Sequence, residues 1–107
     1  MPKSQPRSLP ELIQTFFTQR LIHQRGLSPH TVASYRDTIR LLLTFVEQRT
    51  GRGPTQQQLS DWEAPTLLLF LDYLEQQRHC QPCSRNIRLA ALRTFMRYVA
   101  QQEPSAL

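Results

Sequence analysis

Lysine is almost absent from this basic chain. Of 13 Lys and Arg residues only Lys3 is a lysine, and 8 Asp and Glu leave a net charge of +5 with a pI near 10.0. A positive surface written in arginine favours bidentate contacts to phosphate or to base edges over loosely held point charges. Long apolar runs are lacking too. The longest, Leu67 to Leu71, is too short to span a bilayer, and the N-terminal MPKSQPRSLPE has no apolar h-region of a secretory signal. The expectation is a soluble, cytoplasmic protein without membrane contact.

Catalytic and metal-binding patterns are equally scarce. With Gly 3 in the whole chain there is no glycine-rich phosphate loop, and no paired carboxylates or Ser/His/Asp set stands at catalytic spacing. No catalytic residue, cofactor or small-molecule substrate is therefore expected. The two cysteines, Cys80 and Cys83, form a lone C-x-x-C beside His79, with His23 and His30 far off in sequence. A closed zinc site needs two further ligands at defined spacing, so reduced thiols at a helix start are expected and no metal.

Acid is missing where arginine is densest. Between Glu75 and Glu103 stand Arg78, Arg85, Arg88, Arg93 and Arg97 with no Asp or Glu. Such uncompensated charge implies either a polyanion outside the protein or an acidic neighbour supplied by another element. At 107 residues with 39% hydrophobic content the chain suits one domain with a single core.

The periodicity predicts four helices, at about 9–24, 29–50, 65–78 and 82–102. Ser8 and Glu11 form a capping box with Pro10 in the first turn, followed by the stripe Leu12, Ile13, Phe16, Phe17 and Leu21. Gly26 suits a left-handed stop. Ser28 caps the second helix, Pro29 is its first residue, and Leu27 is placed to staple onto Val32. Its apolar arc is Val32, Tyr35, Ile39, Leu42, Leu43 and Val46. Gly51 to Pro54 open a loop to about Glu63, in which Trp62 plugs the core edge. Pro65 starts the third helix, whose Leu67, Phe70, Leu71 and Leu74 face inward. Its high apolar density predicts a central position. Pro82 opens the fourth, with Leu89, Leu92, Phe95, Met96 and Val99 as core and Asn86, Arg93 and Arg97 on one flank. Residues 1–8 read as a flexible tail, 9–103 as the domain, and 104–107 as the start of a linker.

The chain also pairs with itself at a fixed offset. LSPHTVASYRDTIRLLLTFV (27 to 46) aligns with CQPCSRNIRLAALRTFMRYV (80 to 99), matching Pro29 to Pro82, Thr31 to Ser84, Ile39 to Leu92, Arg40 to Arg93, Leu42 to Phe95, Phe45 to Tyr98 and Val46 to Val99. Part of this is what any two proline-started amphipathic helices share. The common hydroxyl at the third helical position, beside free backbone N–H groups, is in addition a good phosphate grip. The chain thus reads as two helical hairpins packed on each other.

These pieces resemble the N-terminal core-binding, SAM-like domain of tyrosine recombinases, the phage-integrase and Xer-type enzymes. The resemblance rests on Arg25-Gly26-Leu27-Ser28-Pro29-His30-Thr31 with Tyr35-Arg36, on Phe70-Leu71-Asp72-Tyr73-Leu74, and on Ser84-Arg85-Asn86 leading into Leu89 to Tyr98. It covers residues 9 to 102. It implies an all-α, four-helix SAM-like bundle that clamps one side of double-stranded DNA, with further recombinase protomers on the same DNA, in a bacterial cell. It places the DNA-binding residues at Ser28, His30, Thr31 and Arg36 on the second helix and at Ser84, Arg85, Asn86, Arg88, Arg93 and Arg97 on the fourth. Within that set Arg85, Asn86 and Arg88 are expected in the groove, and Arg93 and Arg97 on the backbone. The family's catalytic Arg, Lys, His-x-x-Arg, His and Tyr set belongs to a further domain, so this chain alone is not expected to cut DNA. Gln81, Cys80 and Cys83 depart from the family pattern at the start of the fourth helix. The alternative is an all-helical protein–protein interaction domain docking through Leu41 and Phe45.

Overall fold

The computed structural model describes residues 8–23, 26–77 and 82–102, with side chains for all of these except Ile22, Gln77, Pro82, Cys83 and Ser84. Expectations that fall on Cys80, on the Cys83 thiol, on the Ser84 hydroxyl, on the cap before Pro82 and on both chain ends lie outside the described residues. Those that are described form four helices and no strand.

The first helix, α1, begins as α-helix over Leu9–Thr15, continues as a π-helical turn over Phe16–Arg20 and closes with Leu21–His23. Its start follows the capping box: Ser8 Oγ accepts from the Glu11 backbone N–H at 3.3 Å, and the Ser8 N–H donates to Glu11 Oε1 at 3.3 Å. The π turn is marked by the Leu21 N–H donating to the Phe16 carbonyl, five residues back. Its cause is packing. In a plain α-helix, Phe16 and Leu21 stand about 140° apart on the wheel. The extra residue in the turn brings both into the core, where neither is exposed by more than 2%.

The second helix, α2, spans Pro29–Thr50. Ser28 Oγ accepts from the Thr31 N–H at 3.1 Å, and Gly51, at φ 78°, ends the helix in the left-handed region that an L side chain rarely adopts. Leu27 and Val32 are partly buried and both pack against the core.

The connection that follows is held from inside. Gln57, 2% exposed, donates from Nε2 to the carbonyls of Leu43 (2.9 Å) and Arg52 (3.1 Å) and accepts from the indole N–H of Trp62 at 3.0 Å. A 3₁₀ turn over Leu59–Trp62 then drops the indole into the core against Phe95, at 5.6 Å between ring centroids. Arg52 grips Asp61, its Nε donating to Oδ2 at 3.1 Å, and Asp61 also accepts from the Gln58 N–H at 2.9 Å.

The third helix, α3, runs over Ala64–Gln77. Phe70, Leu71 and Leu74 are buried as predicted, but Leu68 and Leu69 are exposed by 57% and 45%, so α3 lies at the edge and not at the centre. Three successive leucines cannot all face one way on a helix, and apolar density does not report direction.

The fourth helix, α4, spans Pro82–Gln102 and packs most extensively on α2. The core gathers where the helices meet: Phe16 touches Phe95 and Tyr98 with ring centroids 5.2 and 5.4 Å apart, and Phe45 lies against Phe70 and Tyr73. The internal repeat survives as shared burial. Ile39 and Leu92, Leu42 and Phe95, Phe45 and Tyr98, and Val46 and Val99 are all buried, while Arg40 and Arg93 both face solvent. Phe45 therefore belongs to the core and Leu41 is half-buried, which removes the docking face expected there. Among the described residues the exposed large apolar side chains are Leu68, Leu69 and Ile87.

Candidate nucleic-acid interface

The outward faces of α2 and α4 meet near the start of both helices. His30, Thr31 and Ser34 of α2 stand across from Ile87, Arg88 and Ala90 of α4, around two adjoining clefts of about 300 and 220 Å³. From Ala90 the surface continues along α4 as a third cleft of about 360 Å³ lined by Asn86, Arg93, Thr94 and Arg97. Helical spacing produces this line: Asn86, Ala90, Arg93 and Arg97 follow at intervals of four, three and four residues, which keeps them on one stripe. All four are exposed.

The arginines of α4 divide by partner. Arg88 reaches across to α2, its Nη1 donating to Asp37 Oδ2 at 3.1 Å and to Thr38 Oγ1 at 3.2 Å. Thr38 is fully buried and its hydroxyl donates to the Ser34 carbonyl at 2.8 Å, so Arg88 ties the two helices through a satisfied chain of hydrogen bonds. Arg85 leans toward α3, with Nε 3.0 Å from Glu75 Oε1. That contact is an ion pair without hydrogen-bond alignment, since the buried Nε has no hydrogen-bond partner. Arg93 and Arg97 form no ion pair among the described residues. The acid that sequence counting found missing is thus supplied to Arg85 and Arg88 from other helices, and among the described residues none is supplied to Arg93 and Arg97.

On α2, His30 and Thr31 line the clefts. The Ser28 hydroxyl caps the helix and lies 3.1 Å from Thr31 Oγ1. Arg36 sits apart from this group, over the ring of Phe17 on α1 at 5.6 Å. The structure therefore brings together His30, Thr31, Asn86, Arg88, Arg93 and Arg97, with Ser28 beside them, and holds Arg36 and Arg85 against neighbouring helices. Sequence reasoning missed Asp37 and Thr38 as partners of Arg88. No local pattern reports a bond between residues some fifty positions apart.

The electrostatics are those of an anion site. Among the described residues no Asp or Glu lines the Asn86–Arg97 cleft, and Asp37 is the one acid at the α2–α4 clefts. Among the described residues no group of three His, Cys, Asp or Glu side chains could hold a metal ion, and no helix is long and apolar enough to cross a membrane. Guanidinium groups, an amide and hydroxyls arranged this way can bind phosphate oxygens and hydrogen-bond to base edges.

Two proteins of Sinorhizobium fredii (strain NBRC 101917 / NGR234) named as integrase/recombinases are similar to this chain. One, y4rC, is 45% identical over 97 residues, covering 91% of this chain and 29% of its own length. The other, y4rD, is 39% identical over 98 residues, covering 92% of this chain and 35% of its own. The chain therefore spans about a third of the length of these relatives. No solved structure matches it. The family model of the phage integrase N-terminal SAM-like domain matches residues 14–103, from within α1 to the end of α4, and the chain belongs to that family.

Proposed function

We propose that this domain is the DNA-binding module of a site-specific tyrosine recombinase, and that it clamps duplex DNA while a C-terminal catalytic domain carries out strand exchange. The observation that carries this reading is the stripe of Asn86, Arg93 and Arg97, which runs along α4 from the clefts at the starts of α2 and α4 and is lined by no acid among the described residues. Arg93 and Arg97 are the phosphate contacts. Asn86 suits the edge of an adenine, which it can bind bidentately in the major groove. Ser28, His30, Thr31 and Ser84, at the two helix starts, supply further phosphate and groove contacts. Arg85, Arg88 and Arg36 join by exchanging their present partners for DNA. Surface ion pairs are worth only about 0.2–1 kcal/mol, so a carboxylate is readily replaced by a phosphate. Catalysis is assigned to no residue of this chain.

The test is a titration of a labelled duplex of about 20 base pairs at several salt concentrations, where each phosphate neutralised adds about 0.9 to the log–log slope. About five contacts give a slope of roughly −4 to −5, and Arg93→Gln and Arg97→Gln should each flatten it by about 0.9. A salt-independent interaction, or no binding to any duplex at low salt, refutes the reading.

One observation favours a second surface. The exposed Leu68 borders an apolar cleft of about 240 Å³ between α3 and α4, lined by Leu67, Leu71, Leu89, Leu92 and Met96. It suits contact with another protein chain, here further recombinase protomers on the DNA. The double variant Arg85→Glu with Arg93→Glu separates the two. A domain that stays folded but loses DNA retention is a DNA-binding module, and one whose DNA retention is unchanged is an interaction domain.

A further inference from the structure

The basic surface does not end with α4. Thr94 and Arg97, at the far end of the α4 stripe, also line a separate and larger cleft of about 570 Å³ between the last turns of α1 and α4. Its other wall comes from α1, as Gln19, Arg20 and His23, and Tyr98 forms part of its lining. Among the described residues no Asp or Glu lines it.

Arg20 is held in place there. Its Nη2 donates to Gln101 Oε1 at 2.5 Å, and its guanidinium carbon stands 4.9 Å from the centroid of the Tyr98 ring. Tyr98 is itself fixed, 4% exposed, with its hydroxyl 2.6 Å from Thr15 Oγ1. Among the described residues its partners are an aromatic ring and a neutral amide, which leave the guanidinium's charge unbalanced and most of its five N–H donors unused. A cation already locked in position loses little side-chain freedom when an anion arrives. The π turn sets this geometry: with Phe16 and Leu21 both directed inward, Arg20 takes the flanking position beside Tyr98. π turns of this kind recur at functional sites.

We infer that the α1–α4 cleft binds a phosphate of the DNA backbone, extending the DNA-binding surface from α4 onto α1 through Arg20, with Arg97 shared between the two clefts. This rests on the duplex-DNA reading above. The dimensions agree. α4 rises about 1.5 Å per residue, so Asn86 and Arg97 lie roughly 17 Å apart along its axis, the axial length of about five base pairs, and the cleft adds a contact beyond that span.

The experiment compares duplex titrations across salt for the wild-type domain, Arg20→Gln, Gln19→Arg and Arg93→Gln. Arg20→Gln keeps the side-chain stem and should flatten the slope by about 0.9, while Gln19→Arg should steepen it by about the same amount. The gain-of-charge variant keeps the test informative if Arg20→Gln fails to fold. Unchanged slopes for both α1 variants, with a flatter slope for Arg93→Gln, overturn the cleft assignment and leave the DNA reading standing. Absence of wild-type binding overturns both. A parallel NMR titration with inorganic phosphate separates the sources. Saturable shifts at Arg20 and His23 in the wild type, combined with unaltered duplex binding by Arg20→Gln, make the cleft a site for free phosphate and overturn the backbone assignment.

Discussion

Gln57→Leu is the sharpest test of how the connection between α2 and α3 is held. The leucine removes three hydrogen bonds at one buried point, but their costs differ. The Leu43 carbonyl keeps its place in the helical ladder of α2, and the Arg52 carbonyl lies in an exposed loop where water can replace the amide. The indole N–H of Trp62 has no such recourse, because the residue is 1% exposed and Gln57 is its acceptor. An orphaned buried donor costs about 1–3 kcal/mol, to which the two lost donor bonds add somewhat less than one. The sum is about 2–4 kcal/mol, or a fall in Tm of roughly 10–30 °C for a domain of this size. Thermal and urea unfolding followed by far-UV circular dichroism should show it. The cause is isolated by Trp62→Phe, since the double variant has no indole to orphan and should fall short of additivity by about 1–2 kcal/mol. A Gln57→Leu domain within about 0.5 kcal/mol of the wild type, or a strictly additive double variant, refutes the reasoning.

Two further outcomes follow from the ion pairs. Hydrogen bonds from the Arg52 guanidinium, opposed by burial and helped by the Gln58 N–H, hold the Asp61 carboxyl below the usual aspartate range. A group whose folded value is depressed contributes its full stability above its unfolded value of about 3.9 and loses it as pH falls through the folded value. Asp61→Asn should therefore lower Tm at neutral pH, with the two curves converging toward the acid end. A gap constant with pH sinks this account. Asp37→Asn removes a competitor for Arg88 and should tighten duplex binding about 1.5- to 5-fold, the equivalent of a surface pair of about 0.2–1 kcal/mol. Unchanged or weaker binding in anisotropy titrations shows that Arg88 stays with α2 when DNA is present.

Much of this fold is legible in sequence because its punctuation is local. The Ser8–Glu11 box, Ser28 before Pro29 and the left-handed Gly51 each act within a few residues, so pattern alone places the helix ends. Periodicity likewise separates Leu92 and Phe95 from Arg93 on α4. What pattern does not carry is which helix faces which. The pairing of Arg88 with Asp37 and of Arg85 with Glu75 depends on tertiary placement, as does the exposure of Leu68 and Leu69 on a helix rich in leucine. The π turn stands between these cases. Buried residues at 9, 12, 16 and 21 are spaced by three, four and then five, and the interval of five signals that a plain α-helix cannot face them all inward.

That interval bears on how the chain tolerates changes in length. A π turn is an α-helix holding one residue more than it needs, so losing a residue between Phe16 and Leu21 would restore the ordinary ladder with both ends still in register. A deletion in α2 or α4 would instead rotate half the helix by about 100° and turn its core side outward. If relatives of this domain differ in helix length, the change should fall in the second half of α1, where the surplus residue is already stored.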